Sequence, residues 1–224
     1  MSNHFKLFFP VLFLLFSAAT VSAQIRFGAK AGFNVAKVNY RVHSRLEPKM
    51  NPSYQVGGLV EFPFLGNTYI NVGLEAQGKG YKYVTDSTAY KLSGKVAPLY
   101  IQIPVDLVVR GYDGGVYASI GTYFAYGIAG NVEKVTETKP GGDQTTVTDG
   151  VVFENSDQAH FKPFDVGATL QFGYETQGGI RIWGAYSWGF GDTRGDAIKV
   201  TEFITPVNHR VGSIGFSYIF KTLK

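Results

Sequence analysis

The sequence contains no cysteine. An exported chain of this size without disulfides must hold itself together with an extensive core or a closed hydrogen-bonded sheet. Beyond its opening segment it also lacks any apolar run near the roughly 20 residues that a membrane-crossing helix needs. If the mature protein enters a membrane, it does so as strands. Apolar residues almost never recur at helical spacing. The surplus of positive charge is small, 21 Lys plus Arg against 17 Asp plus Glu, which gives no footprint for nucleic acid. No H-x-x-x-H spacing occurs. His43, His160 and His209 fall in or beside predicted loops, so no zinc site is expected. Gly141-Gly142 and Gly178-Gly179 precede no helix and read as turn glycines, not as phosphate loops. The carboxylates lie on different predicted strands, and no Ser–His–Asp set stands out. The chain is therefore read as a non-enzyme without metal or cofactor.

The opening segment has a small charged start ending at Lys6. An apolar run of about a dozen residues follows from Leu7 to Ala18, too short to span a bilayer. Val21-Ser22-Ala23 then supplies small residues. This pattern predicts a secretory signal peptide over 1–23, cleaved after Ala23, with one barrel domain over 24–224. Glycine is abundant, 28 residues in 224, and aromatics make up 15%.

Eight segments alternate apolar and polar residues with a period of two. They are Ile25 to Lys37, Ser53 to Phe62, Thr68 to Val84, Val96 to Arg110, Gly115 to Gly130, Pro163 to Glu175, Gly179 to Phe190, and His209 to Phe220. Ordinary strands run to about 5 or 6 residues, whereas a tilted membrane strand needs about 9 to 11. The connections alternate long and short: Val38 to Pro52, Pro63 to Asn67, Thr85 to Lys95, Gly111 to Gly114, Asn131 to Lys162, Thr176 to Gly178, Gly191 to Asn208. Outer-membrane barrels sort their connections in this way, with short periplasmic turns and long external loops. One face of each segment is Ile, Val, Leu, Phe and Ala; the other mixes Gly, Ser, Gln, Asn and charges. These features predict an all-β fold, an eight-stranded antiparallel up-and-down transmembrane β-barrel. Asp113-Gly114 reads as a type I′ hairpin turn, which sets Arg110 opposite Tyr117 and Val109 opposite Ala118.

The polar face collects Arg26, Lys30, Glu61, Glu75, Lys79, Asp106, Asp165, Glu175 and Arg181. Eight strands enclose a bore only wide enough for side chains or one small ligand. These nine are expected to form a structural charge network, because a buried charge must be paired. Glu175 and Arg181 flank a short turn with equal parity and are the expected pair. Trp183 should face the bore, and Trp188 the lipid near the outer interface. Tyr40, Tyr81 and Tyr83 sit at loop bases, where an aromatic girdle belongs. The long connection 131–162 is the expected place for a partner contact.

Several stretches carry a family resemblance: IRFGAKAGFNVAKV at the start, then YIQIPVDLVV, GVYASIGTYFAYGI and the closing VGSIGFSYIF. Together they resemble the PorT-type outer-membrane β-barrel proteins over nearly all of the mature chain. The resemblance implies an outer-membrane barrel of about eight strands. It leaves the role open, since members differ; one takes part in protease export. Phe220 is followed by Lys-Thr-Leu-Lys, which departs from the usual terminal aromatic.

The expected function is an integral outer-membrane protein of a Gram-negative bacterium, with a packed polar lumen, long external loops and a structural or surface-interaction role. Its expected partners are outer-membrane lipid and a protein at the external loops. Two alternatives remain from sequence. One is a component of an export or transport assembly. The other is a soluble periplasmic lipocalin-like carrier, in which the apolar face would point inward.

Overall fold

The computed structural model describes residues 25–39, 47–86, 90–111, 115–138, 142–154, 161–193 and 208–220. The predicted signal peptide, Tyr40, His43, His160, the Asp113-Gly114 turn and the tail after Phe220 lie outside the described residues. The strands are β1 (Arg26–Asn39), β2 (Glu47–Lys49), β3 (Asn51–Leu65), β4 (Thr68–Gly78), β5 (Tyr81–Asp86), β6 (Tyr90–Arg110), β7 (Gly115–Thr138), β8 (Gln144–Gly150), β9 (Phe164–Glu175), β10 (Ile180–Gly189) and β11 (Asn208–Phe220).

Eight of these close a ring. Neighbours run β1, β3, β4, β6, β7, β9, β10, β11 and back to β1, all antiparallel. Closure removes the sheet edges, so within the ring the ladder satisfies the backbone that lipid cannot. The predicted hairpin register holds, with Arg110 opposite Tyr117 and Val109 opposite Ala118. Beside that turn Gly115 adopts a φ of 96°, a left-handed backbone that favours glycine.

The faces point as a membrane requires. Leu107 is 43% exposed and Ile120 61%, whereas Glu61 and Gln77 are buried. The apolar face is outward, which removes the lipocalin-like alternative. The glycine excess has a steric reason inside. The Trp183 ring lies against Gly32 and Gly215, Tyr117 against Gly173, and Tyr123 against Gly167, each closer than a Cβ would allow. A narrow bore can hold large rings only where the facing strand is flat.

Several expectations need correction. The segment Thr68 to Val84 is interrupted at Lys79 and Gly80, although β4 and β5 lie on β6 in one register. Pro98 has no N–H to give at this point, so only the Lys79 N–H bonds to the Pro98 carbonyl, at 2.9 Å. Gly80 has a φ of 108°, and a Cβ there would lie 2.0 Å from the Val96 carbonyl oxygen. The long connections also hold strands. β6 begins at Tyr90, β7 continues to Thr138, β8 pairs back on β7, and β2 pairs on β5. A bulge shifts the β6–β7 register between Leu99 and Tyr100 and leaves Ile128 as the extra residue. Finally, Tyr81 and Tyr83 do not form a girdle. Tyr81 is buried with Val38, Val96 and Phe161 on the inner face, and Tyr83 packs against that group.

Candidate functional site: the filled bore and its outer mouth

All nine predicted bore residues point inward, and strand pairing brings them together in tiers. The lowest tier sits at the end of the short turns. Register places Arg26 opposite Glu61 and Arg181 opposite Glu175. Arg181 reaches both carboxylates: Nη1 lies 2.6 Å from Glu61 Oε1, and Nε donates to Glu175 Oε2 at 2.7 Å. Arg26 bonds Glu61 Oε2 at 3.1 Å and also pairs with Glu175. Arg110 completes the cluster, with Nη1 at 3.0 and 3.1 Å from the two Glu175 oxygens and Nη2 at 2.5 Å from the Tyr69 hydroxyl. The expected pair Glu175–Arg181 is thus part of a five-member cluster, three guanidiniums on two carboxylates.

The middle tier joins Lys30 to Glu75 at 3.0 Å, with Lys30 Nζ 4.5 Å from the centre of the Trp183 ring. Trp183 donates to Ser217 at 2.8 Å. Asp106 accepts from the Asn71 amide at 3.1 Å. In the upper tier Lys79 and Asp165 form a fully buried pair at 2.8 Å. Tyr123 donates to the same carboxylate at 3.2 Å, and its ring lies 4.2 Å from Lys79 Nζ. Buried ions are tolerable only when paired and hydrogen-bonded. Every cation of these tiers is paired with a carboxylate, whereas Asp106 is held by the Asn71 amide alone, and one oxygen each of Asp106 and Asp165 has no hydrogen-bond partner among the described residues.

Above Lys79 the inner face turns apolar. Phe153 packs edge-on to Tyr100 at 5.6 Å, and Phe161 lies 5.6 Å from the ring of His209. With Val38, Tyr81 and Val96 they cap the ionic tiers. Sequence reading missed this cap and left Arg110 out of the network, although the turn register already placed Arg110 on the polar face. Adding Arg110 to the nine gives five cations and five carboxylates. Among the described residues no three His, Asp or Glu side chains group as a metal site. The arrangement locks the wall together and fills the bore; its cations are already engaged by carboxylates.

A closed eight-strand ring, apolar outside and ion-paired inside, defines the class: a transmembrane β-barrel of the outer-membrane kind. Residues 17–195 match the family described as Outer membrane protein beta-barrel domain. The chain belongs to that family, and its place is the outer membrane of a Gram-negative bacterium. Among solved structures it is similar to Ail, the attachment invasion locus protein of Yersinia pestis. The identity is 10%, the alignment covers 87% of this chain and 98% of that one, and the TM-score is 0.41. Neisserial surface protein A follows at 12% identity, 87% and 97% coverage and a TM-score of 0.39. OprG of Pseudomonas aeruginosa stands at 13%, 89% and 98%, and 0.36. Nothing about role passes from these to this chain at such scores. No curated protein sequence matches it.

Proposed function

We propose that this protein is a plugged, non-enzymatic scaffold that holds a strand platform out at the cell surface for contact with other surface components. The observation that carries this reading is the extension of the wall past the ring. β2, β5, β6, β7 and β8 continue as neighbours beyond it, and every residue of β8 is exposed. A paired, exposed strand on a filled barrel serves for contact and not for conduction. In this reading residues 1–23 are the export signal, removed after Ala23. The Ile-Pro strand and closing aromatic strand support a PorT-type subgroup. That same resemblance favours a second reading, a component of an export assembly.

The chain's lack of cysteine makes the test direct. Thr146→Cys on β8 and Gln177→Cys in a short turn each create a single thiol. A maleimide too bulky for porins should label Thr146→Cys in intact cells, and Gln177→Cys only after the outer membrane is broken. Labelling of Gln177→Cys alone in intact cells would overturn the proposal.

A further inference from the structure

The outward wall shows a feature that neither the filled bore nor the strand platform uses. Strand pairing sets outward residues in rows across β1, β11 and β10. The upper row is Lys37, Arg210 and Trp188. The next row down is Val35, Gly212 and Tyr186, and the third is Phe33, Ile214 and Gly184. Rows two residues apart along a strand are separated by roughly 7 Å. An open apolar groove of about 780 Å³ runs through the lower two rows, floored by Gly184 and Gly212 and walled by Phe33, Phe172 and Tyr186. It continues downward past Ile182 and Phe216.

The two floor glycines differ from those inside the barrel. A Cβ at Gly184 would meet only the Ser213 carbonyl oxygen, at 3.8 Å, and one at Gly212 only that of Val35, at 4.0 Å. Neither positive φ nor close packing calls for glycine at either position, yet glycine weakens a strand. Their effect is to leave the groove open. Directly above it Lys37 and Arg210 stand opposite each other across β1 and β11. Like charges in that position repel, and among the described residues neither has an ion pair. Trp188 sits beside Arg210 with its ring 4.7 Å from that of Tyr186, and such rings mark the headgroup level of a membrane. Below this row the outward faces of β1, β10 and β11 carry no charge, so the two cations are the first met on rising from the apolar band.

From this juxtaposition we infer a binding site for a phosphorylated lipid of the outer leaflet. Its acyl chain lies in the groove over Gly184 and Gly212, and its phosphate sits between Lys37 and Arg210. The guanidinium supplies paired donors, and the phosphate relieves the repulsion between the two cations. The chain-length groove ties the site to a lipid and not to free phosphate. The inference rests on the outward apolar face meeting lipid; were that wrong, the protein would be recovered without detergent, whereas failure of the site alone leaves it in the membrane.

The test uses the full mature protein in zwitterionic detergent, with native mass spectrometry of bound lipid. The probes are hexa-acyl diphosphoryl lipid A, its dephosphorylated form, and inorganic phosphate as competitor. The phosphorylated lipid should bind about tenfold or more tightly than the dephosphorylated one, and the double variant Lys37→Gln, Arg210→Gln should erase that preference, at roughly fivefold per cation. Filling the floor with Gly184→Leu and Gly212→Leu should weaken the phosphorylated lipid by about tenfold while heat-modifiable migration stays native, since both side chains point into open space. Lys82→Gln with Lys95→Gln removes two outward cations on β5 and β6, away from the groove, and should change binding by less than about twofold. The site is refuted if the leucine variant binds as the parent does. It is equally refuted if the Lys82, Lys95 variant loses as much as the Lys37, Arg210 variant, or if inorganic phosphate displaces the lipid. Should the Lys37, Arg210 variant fail to fold, the leucine variant decides.

Discussion

Neutralising Glu61 should harm the barrel far more than removing Arg110, although both belong to one cluster. The side chain of Glu61 is fully buried and takes Arg181 at 2.6 and 2.9 Å and Arg26 at 3.1 Å. The cluster holds three guanidiniums and two carboxylates. Glu61→Gln leaves three cations around Glu175 alone, with the Arg181 fork largely unmatched. Breaking a buried pair from one side costs about 3 to 5 kcal/mol, because the remaining charge stays desolvated. Arg110→Gln has the opposite effect on balance. It leaves two cations on two carboxylates, and Glu175 keeps both Arg26 and Arg181. The loss there is the contact to Glu175, the hydrogen bond to the Tyr69 hydroxyl and the packing of the guanidinium on Tyr69, 4.4 Å from the ring centre. Because Arg110 is also the excess cation, the net cost should be about 1 kcal/mol or less. Urea titration of the protein refolded in lipid vesicles, followed by tryptophan emission, reads both values. A gap of about 2 kcal/mol or more with Glu61→Gln the weaker protein is expected. Equal midpoints, or a weaker Arg110→Gln, would refute the charge accounting.

Two further substitutions probe the walls. Leu107→Arg places a charge on the outward face and should cost about 2 to 4 kcal/mol in vesicles, while Leu107→Met changes stability little; equal tolerance of both would mean that the face does not meet lipid. Gly215→Val would put a Cβ 2.3 Å from the Ala31 carbonyl oxygen and 2.4 Å from the Trp183 ring. It should destabilise by about 1 to 3 kcal/mol and shift the emission of Trp183, and a native-like spectrum at unchanged midpoint would contradict the packing of that ring.

Much of this architecture is legible in the sequence because a strand's side chains alternate strictly. Parity alone put Glu61, Asp106, Asp165 and Arg181 on one face, and a ring of eight strands brings that face together. The pairing of Glu175 with Arg181 followed from one short turn. Parity also shows where reading by type misleads. Tyr81 looked like a girdle residue because it is an aromatic at a loop base, yet its odd number aligns it with Gln77 and Lys79, and it is buried inside. Arg110 escaped notice for a similar reason. A charged residue beside a turn commonly reaches solvent, so Arg110 was left out although the turn register had already set it on the polar face, where Glu175 engages it. The cap of Phe153 and Phe161 had no periodic signal at all. Phe153 and Phe161 lie outside the named strands, in an isolated bridge with each other, so neither residue belongs to a pattern that a sequence displays. β8 was equally hidden: QTTVTDG is polar except for Val147 and shows no apolar alternation, and its pairing depends on β7 continuing past the ring.

The central claim is that this outer-membrane barrel is filled. Eight strands leave an interior that side chains can occupy, whereas wide aqueous channels appear at about 16 strands. Here Trp183, Tyr117, Tyr123 and the five-and-five charge network occupy the bore, with Phe153 and Phe161 above them. The most direct measurement is the current through a planar bilayer after insertion of the purified, folded protein. The filled bore predicts no steady general-porin conductance at any salt concentration. Large, stable, uniform channels from the monomer would contradict both the strand count and the packing of the lumen.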